Sequence, residues 1–428
     1  MSFCSLETFE EYVMKENPNN NIFYILSPNF NEICNKGTIL CRVSIFDIDE
    51  RGTIKHDKKV VDKLLAILIN SKYRDDKIKE IESLKLHPFE KRAIGSMLGM
   101  AIGDAMGSTY EFHPYVPRKI DLFDMDRQRE GKFKLEPGQW TDDTSMGLCI
   151  ADSLLVNNGK LDQRDIMHRF LAWIRGGYNN TFRFNEDYGL KIRSSIGLGS
   201  NINMAFKDYF KNRNVETNAG DKYTSGNGSI MRNAAIPICF YYDINFACEM
   251  AKKQSLITHK GLEAKECCSL LTYIIIKIFE GHDLKRILDN LGKDFICEIE
   301  SVNCLAKSIK CKHENWNWKD KYFTYNYERT KENPGYIGSY AMDNMAMSLH
   351  IIYNSDSFKE SIIKAANTRG DADSITSVVG QIAGAYYPIE DIPSDWIRNI
   401  YKWDNGEIAL RGYMLARLHS QKSFYDKK

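Results

Sequence analysis

The sequence lacks a long hydrophobic run and any excess of charge of one sign. In its 428 residues, 58 Lys and Arg balance 57 Asp and Glu, which gives a formal net charge of +1. Proteins that bind nucleic acid or a membrane surface usually carry a basic excess, so we expect neither kind of partner. The most apolar stretch, residues 93–103, ends at Asp104 and is shorter than the ~18 residues that a membrane span needs.

The sequence also lacks a cysteine pattern typical of disulfides or metal sites, since its 11 cysteines are odd in number and no Cys-x-x-Cys motif occurs. This usage favours free thiols in a reducing cytosol over a disulfide framework. The first residues, MSFCSLETFEEYVMKENPNNN, have neither the basic start nor the apolar core of a secretory signal peptide. The sequence therefore predicts a cytoplasmic protein.

The chain divides near residue 87 into a short N-terminal region and a long helical region. In the first region, residues 37–55 alternate apolar and polar side chains around a polar turn signal at 49–52, which predicts a β-hairpin. Apolar positions within 60–68 have helical spacing and predict an amphipathic helix. Residues 1–86 are therefore predicted to form a small α+β extension, and they hold no recognisable catalytic constellation.

Nearly every later segment has helical periodicity, so residues 87–428 are predicted to form an all-α domain. One of its helices is unusual, because the stretch GSMLGMAIGDAMG at 95–107 has a glycine at every fourth position. Each interior glycine costs a helix about 1 kcal/mol relative to alanine. Small residues also let a neighbouring backbone approach closely. We therefore expect this helix, and a second one containing Gly380 and Gly384, at the centre of the domain.

Acidic residues cluster just before two predicted helices that are far apart in the sequence. The two clusters together comprise Thr141, Asp142, Asp143, Asp371, Asp373 and Ser374. A single cluster of this kind is most simply a helix cap, because such side chains stabilise the free N–H groups of a helix start. Each cluster holds more acid than a cap needs, and hard oxygen ligands suit magnesium, manganese or calcium. If the clusters converge, we expect a pair of divalent ions ~3.5–4 Å apart.

Six blocks of this region resemble the ADP-ribosylglycohydrolases, and they occur in the order found in that family. The blocks are GMAIGDAMGSTYEF, GQWTDDTSM, SGNGSIMRNAAIPI, THKGLEA, GYIGSYAMDNMAMSLHII and NTRGDADSITSVVGQIAGAYY. The resemblance covers roughly residues 90–390 and is to the group that includes dinitrogenase-reductase-activating glycohydrolase. It implies an all-α fold, a binuclear Mg²⁺ or Mn²⁺ centre, and hydrolysis of the bond between ADP-ribose and a modified protein side chain.

The resemblance also implies roles for individual residues. The two acidic clusters would hold the two metal ions, and Glu111 would be the loop glutamate near the metals and the scissile bond. Glu111 and Asp142 are the candidates for moving the proton during hydrolysis. The residues assigned to substrate binding are Ser225, Gly226, Asn227, Gly228, His259 and Tyr340.

Several nearby residues also fit a structural role. Asp104, in the GDA motif, is expected to support neighbouring backbone rather than take part in the chemistry. Arg232 fits either a phosphate contact or a structural ion pair, and Tyr336 fits either the nucleotide site or the core. Arg369 stands where the family commonly has glycine. We expect it either to compete with a metal ion or to bind a phosphate.

The favoured function is hydrolytic removal of ADP-ribose from a modified protein, with arginine as the favoured acceptor side chain. The partner is then an ADP-ribosylated protein substrate. The extension at 1–86 lies outside the resemblance and supports an alternative function. In this alternative, the protein is an immunity or regulatory factor that binds an ADP-ribosyltransferase toxin through its extension, with or without hydrolysis.

Overall fold

The computed structural model describes residues 47–48, 54–55, 86–117, 120–182, 195–220, 224–404 and 406–418. Within these residues helices predominate and strands are few, which confirms the predicted all-α fold of the long region. The helices are α1 (Pro88–Gly107), α2 (Asp142–Val156), α3 (Gln163–Gly176), α4 (Ser200–Asn212), α5 (Ala235–Cys239), α6 (Ile244–Leu256), α7 (Leu262–Phe279), α8 (Leu284–Asp294), α9 (Glu300–Lys307), α10 (Tyr327–Glu332), α11 (Ala341–Tyr353), α12 (Phe358–Ala366), α13 (Ala372–Tyr386), α14 (Ser394–Asp404) and α15 (Glu407–Arg417).

The few strands are short and form antiparallel pairs. The pairs are β1 (Asp47–Ile48) with β2 (Ile54–Lys55), and β3 (Lys310–Cys311) with β4 (Glu314–Asn315). The first pair flanks the turn signal at 49–52, as the predicted hairpin requires. The helix predicted at 60–68 lies outside the described residues, so the α+β extension stays a prediction.

The two glycine-rich helices, α1 and α13, cross at the centre of the fold, as the sequence predicts. A Cβ atom built on Gly99 would lie 2.0 Å from the carbonyl oxygen of Gly380, and one built on Gly380 would lie 1.9 Å from that of Gly99. Gly95 and Gly384 have the same reciprocal relationship. The helix backbones therefore touch directly, and any side chain at these positions would force them apart.

The crossing is antiparallel, and this orientation positions the site. A Cβ atom on Gly107, at the end of α1, would lie 2.4 Å from the carbonyl oxygen of Ala372, at the start of α13. The segment that carries Glu111 leaves α1 at this point, so it lies next to the second acidic cluster. The glycine packing thus explains why the two segments meet.

The remaining helices enclose this central pair. Helix α15 packs against α1, and helices α7, α11 and α12 pack against α13. Five tryptophans are fully buried in the surrounding core, namely Trp140, Trp173, Trp318, Trp396 and Trp403. None of the described helices has the length and hydropathy to cross a bilayer. The cytoplasmic location stays a prediction.

Candidate active site

A cavity of about 840 Å³ opens where α1 ends and where α2 and α13 begin. Its volume is in the range of small-molecule binding sites. Acidic and hydroxyl side chains from distant parts of the chain line one part of it. They are Glu111, Asp142, Asp143, Asp371, Asp373 and Ser374. The two acidic clusters identified in the sequence therefore converge in one cleft.

Both clusters lie at helix N-termini. Thr141 is the N-cap residue of α2, with Asp142 and Asp143 in its first turn, and Asp371 is the N-cap residue of α13, with Asp373 in its first turn. The partial positive charge of each helix start stabilises carboxylates. Two such helix starts face the same cleft and hold the acids together there.

Asp104 ties the end of α1 to the start of α2. Its buried carboxylate accepts hydrogen bonds from the backbone N–H groups of Thr141 and Thr144, each at 3.0 Å, and from the Thr144 hydroxyl at 2.7 Å. It also accepts from the Thr141 hydroxyl at 2.8 Å. This is the supporting role expected of Asp104. Because the Thr141 hydroxyl donates its proton to Asp104, its oxygen lone pairs remain available to a cation.

The acids lie close enough to repel one another. One carboxylate oxygen each of Asp104, Asp143 and Asp373 lies within 4.8 Å of the other two. Burial raises the pKa of Asp142 to about 7 and that of Asp104 to about 6. Burial, followed by the charge of Asp373, raises the pKa of Glu111 well above its usual range. Without a counter-charge, the cluster must therefore retain protons.

Two oxygen atoms in the cluster test whether the site fits a metal ion. Asp143 Oδ1 and Glu111 Oε2 are buried and have no hydrogen-bond partner in the described part of the chain. A buried acceptor without a partner loses hydration without compensation. A divalent cation bound at either oxygen would replace the absent hydrogen-bond partner, and hard carboxylate and hydroxyl ligands are those that Mg²⁺ and Mn²⁺ prefer. The residues present fit such an ion.

Backbone hydrogen bonds fix Glu111 beside the second cluster. The N–H group of Phe112 donates to the carbonyl oxygen of Gly370 at 2.7 Å, and the N–H group of Gly370 donates to that of His113 at 2.8 Å. Gly370 immediately precedes Asp371. These two bonds join the Glu111 segment to the loop that begins α13.

The turn at residues 225–228 lies beside the second cluster. Gly226, Asn227 and Gly228 line the cleft, whereas the Ser225 side chain is buried behind it against Gly261. The Asn227 amide donates to Asp371 Oδ2 at 3.1 Å and to the carbonyl oxygen of Gly338 at 3.0 Å. This amide therefore orients a candidate metal ligand, which the sequence reasoning missed.

The two aromatic candidates occupy different positions. Tyr336 lines the cleft, is 57% exposed, and has its ring centroid 5.2 Å from that of Phe112. Tyr340 does not line the cleft, because its hydroxyl donates to Glu263 on α7. The structure thus places Tyr336, and not Tyr340, where a ring can contact a ligand.

His259 is buried in the cleft wall, behind Gly226 and Gly228. A Cβ atom on Gly228 would lie 2.9 Å from His259 Cε1. Glycine at this position therefore lets the imidazole ring approach the cleft. The ring thus lines the cleft, and its role in substrate binding stays a prediction.

Neither arginine considered in the sequence lies in the cleft. Arg232 is fully buried, and its guanidinium carbon lies 4.6 Å from the ring centroid of Phe170. Arg369 pairs with Asp121 at 3.5 Å and lies over the Tyr110 ring. Arg369 thus pairs with Asp121 outside the residues that line the cleft, which does not favour its expected contact with a metal ion or a phosphate there. Its φ of 60° falls in the left-handed region, which explains why glycine is common at this position.

A further loop contributes to the cleft and was not identified from the sequence. Gly197 and Gly199 line the cleft just before α4, and Asn201 lines it from the first turn of that helix. Gly197 has a φ of 75°, and a Cβ atom on it would lie 1.9 Å from Asp142 Oδ1. Only glycine fits this close approach to the carboxylate. The signal in the sequence was the glycine spacing in SIGLGSN ahead of a helical segment.

Comparisons with known proteins show what the whole chain is similar to. Residues 86–423 match the family model described as ADP-ribosylglycohydrolase. The chain is 29% identical over 309 residues to an ADP-ribosylarginine hydrolase of Pseudomonas putida, covering 72% of this chain and 74% of that protein. It is 25% identical over 311 residues to the ADP-ribosyl-dinitrogen reductase glycohydrolase of Rhodospirillum rubrum, covering 72% and 90%. A solved structure described as an ADP-ribosylglycohydrolase-related protein complex matches with a TM-score of 0.60 at 26% identity, covering 78% of this chain and 99% of that one.

Proposed function

Because the chain belongs to the ADP-ribosylglycohydrolase family, we propose that it hydrolyses the bond between ADP-ribose and a modified protein side chain. The observation that carries this proposal is the meeting of both acidic clusters and Glu111 in a cleft of ligand size. Arginine is the favoured acceptor, since the relative from Pseudomonas putida is named an ADP-ribosylarginine hydrolase. The partner is accordingly an ADP-ribosylated protein.

The two clusters would together hold two Mg²⁺ or Mn²⁺ ions. The proposed ligands are Thr141, Asp142, Asp143, Asp371, Asp373 and Ser374. When bound, such ions supply positive charge that polarises sugar oxygens and acidifies water. The buried Asp143 Oδ1 supports this assignment, because it has no hydrogen-bond donor among the described residues and is free to coordinate a cation.

In the proposed reaction, a water oxygen forms a bond to the anomeric carbon of the ribose and the bond to the acceptor nitrogen breaks. One proton of the water moves to that leaving nitrogen. Glu111 is a candidate to carry it, because its carboxyl lines the cleft beside Asp373, and burial together with the charge of Asp373 raises its pKa well above the usual range. Asp142, with a pKa of about 7, is the second candidate. The other carboxylates stabilise the positive charge that develops on the anomeric carbon.

The direct test uses a protein that carries ADP-ribose on arginine. The chain is incubated with it in the presence of Mg²⁺ or of a chelator, and the released nucleotide is measured by mass spectrometry. We expect free ADP-ribose with Mg²⁺, little with chelator, and little from the Asp371→Ala variant. Release that is equal in all three reactions would contradict the proposed function.

We keep the toxin-binding alternative because the family match begins at residue 86 and leaves the N-terminal extension without a counterpart in it. Two variants separate the functions, Asp371→Ala and a deletion of residues 1–85. If toxin neutralisation survives the first change and fails after the second, binding by the extension is the main function. If Asp371→Ala removes all protection, hydrolysis is the main function.

A further inference from the structure

Three side chains form a line of hydrogen bonds from the core to the cleft wall. Arg232 Nη2 donates to Thr258 Oγ1 at 2.8 Å, and this oxygen lies 2.8 Å from His259 Nδ1. Arg232 and Thr258 are buried and do not line the cleft, whereas His259 does. A guanidinium only donates hydrogen bonds, so the direction of the first bond is fixed.

The first hydrogen bond determines which atom is the donor in the second, between Thr258 Oγ1 and His259 Nδ1. Thr258 Oγ1 accepts from Arg232, and its own proton has no acceptor among the described residues other than His259 Nδ1. Nδ1 therefore accepts and carries no proton. Burial, together with the positive charge of Arg232, lowers the pKa of His259 to about 3, so the ring is neutral. A neutral imidazole has a single N–H group, which here belongs to Nε2.

The Nε2 atom faces the glycine turn in the cleft wall. A Cβ atom on Gly228 would lie 3.1 Å from Nε2, and one on Gly226 would lie 3.4 Å from it. The ring edge that carries Nε2 therefore lies on the side of the buried imidazole that lines the cleft. Within the described ranges, no hydrogen bond from Nε2 to a protein acceptor is found. The donor is thus available to a ligand.

We propose that Arg232 and Thr258 are positioning residues that fix the proton of His259 on Nε2, where it donates a hydrogen bond to an oxygen of the bound ADP-ribosyl group. The identity of the ligand rests on the proposed function, whereas the position of the proton does not. With the opposite tautomer, the Nε2 lone pair would face a substrate oxygen and repel it. The two buried residues therefore support substrate affinity without touching the substrate.

The position of the proton is measured by long-range ¹H–¹⁵N correlation spectra of protein labelled at histidine. The His259 signals are identified by their loss in His259→Gln. We expect a protonated, pyrrole-type shift for Nε2 and a pyridine-type shift for Nδ1 in the unaltered protein. A protonated Nδ1 would overturn the proposal, and this result requires no variant that has to fold.

Variants at Thr258 test the relay itself. Thr258→Val removes the hydroxyl, and Thr258→Ser retains it. We expect the Val variant to lose the single tautomer and the Ser variant to keep it, with both melting cooperatively. An unchanged His259 tautomer in Thr258→Val would show that the hydroxyl does not set it, which contradicts the proposal.

Calorimetric titration with ADP-ribose measures the consequence for binding. We expect Thr258→Val to bind roughly three- to tenfold more weakly, with KM raised more than kcat is lowered, and Thr258→Ser to restore both. Equal affinity of the Val variant and the unaltered protein would contradict the proposed donor role. If the unaltered protein does not bind ADP-ribose, the proposed function fails, and the nitrogen shifts still decide the tautomer.

Discussion

Gly99 on α1 and Gly380 on α13 touch through their backbones, since a Cβ atom on either would lie within 2.0 Å of the other's carbonyl oxygen. The end of α1 and the start of α13 both carry residues of the acidic cluster. The distance between α1 and α13, and with it the distance between the acidic side chains that these helices carry, therefore depends on the contact between Gly99 and Gly380.

The first prediction concerns this contact. Gly99→Ala should lower the free energy of unfolding by ~3 kcal/mol, because a methyl group in a closely packed interface forces the backbones apart. Hydrolysis should fall as well, because Asp104 and Asp373 would separate. Thermal melting and turnover measure the two effects.

The matched control for this substitution is Gly199→Ala, where an added Cβ atom meets its nearest neighbour at 3.7 Å. Its melting temperature should change little. If the two variants melted alike, the contact between the helices would not limit stability.

A second prediction concerns the pH dependence of stability in the metal-free protein. Burial raises the pKa of Asp142 from 3.8 to about 7, so the folded chain binds more protons than the unfolded chain between these values. The free energy of unfolding should therefore fall as pH rises through this window. Melting of chelator-treated protein should be lower at about pH 8 than at about pH 5.5. Added Mg²⁺ should raise it more at the higher pH, because protons then compete less for the carboxylates.

The control for the pH effect is Asp142→Asn, which removes one titrating group and should flatten the pH dependence of melting. The same steep fall in this variant would mean that other groups cause it.

The third prediction concerns the amide that orients Asp371. Asn227→Ala removes the 3.1 Å hydrogen bond to Asp371 Oδ2, and loss of such outer contacts typically weakens metal binding about 10- to 100-fold. Titration with Mn²⁺ measures the affinity. Asn290→Ala is the matched control, because its amide donates only to a carbonyl oxygen on the exposed face of α8. Equal affinities for the two variants would contradict an orienting role for Asn227.

The fourth prediction separates two effects at Arg369, namely the backbone strain of its left-handed conformation and its ion pair with Asp121. Arg369→Gly and Arg369→Ala both lose the partner Asp121, but only alanine retains a side chain in the left-handed conformation. The glycine variant should be more stable than the alanine variant by about 1 kcal/mol. Both should retain Mn²⁺ affinity, since the guanidinium pairs with Asp121 away from the acidic side chains that line the cleft. Equal melting of the two variants would argue against strain at this position.

The central features could be predicted from the sequence because each has a local physical cause. Four regularly spaced glycines weaken a helix unless they allow a second helix backbone to approach closely, and Gly99 makes such a contact with Gly380. Acids in excess of capping needs, such as Asp142 and Asp143, indicate a shared counter-ion. These patterns are visible without knowledge of the tertiary fold.

Other parts of the site could not be predicted, because they depend on contacts between distant segments. The Asn227 amide reaches Asp371 only after the turn at 225–228 packs beside α13. Tyr336 and Tyr340 are neighbours with similar sequence surroundings. The hydrogen bond from the Tyr340 hydroxyl to the Glu263 carboxylate on α7 holds Tyr340 outside the cleft. Spacing along the chain does not encode such partners.

The most direct test of the account is calorimetric titration of the chelator-treated protein with Mn²⁺, using Asp143→Asn, Asp373→Asn and the double variant. If both clusters form one centre, each single change should abolish most binding, and the double variant should lose little more. If each single variant instead retained full binding at the other cluster, the two acidic helix starts would be separate sites and the proposed catalytic centre would not exist.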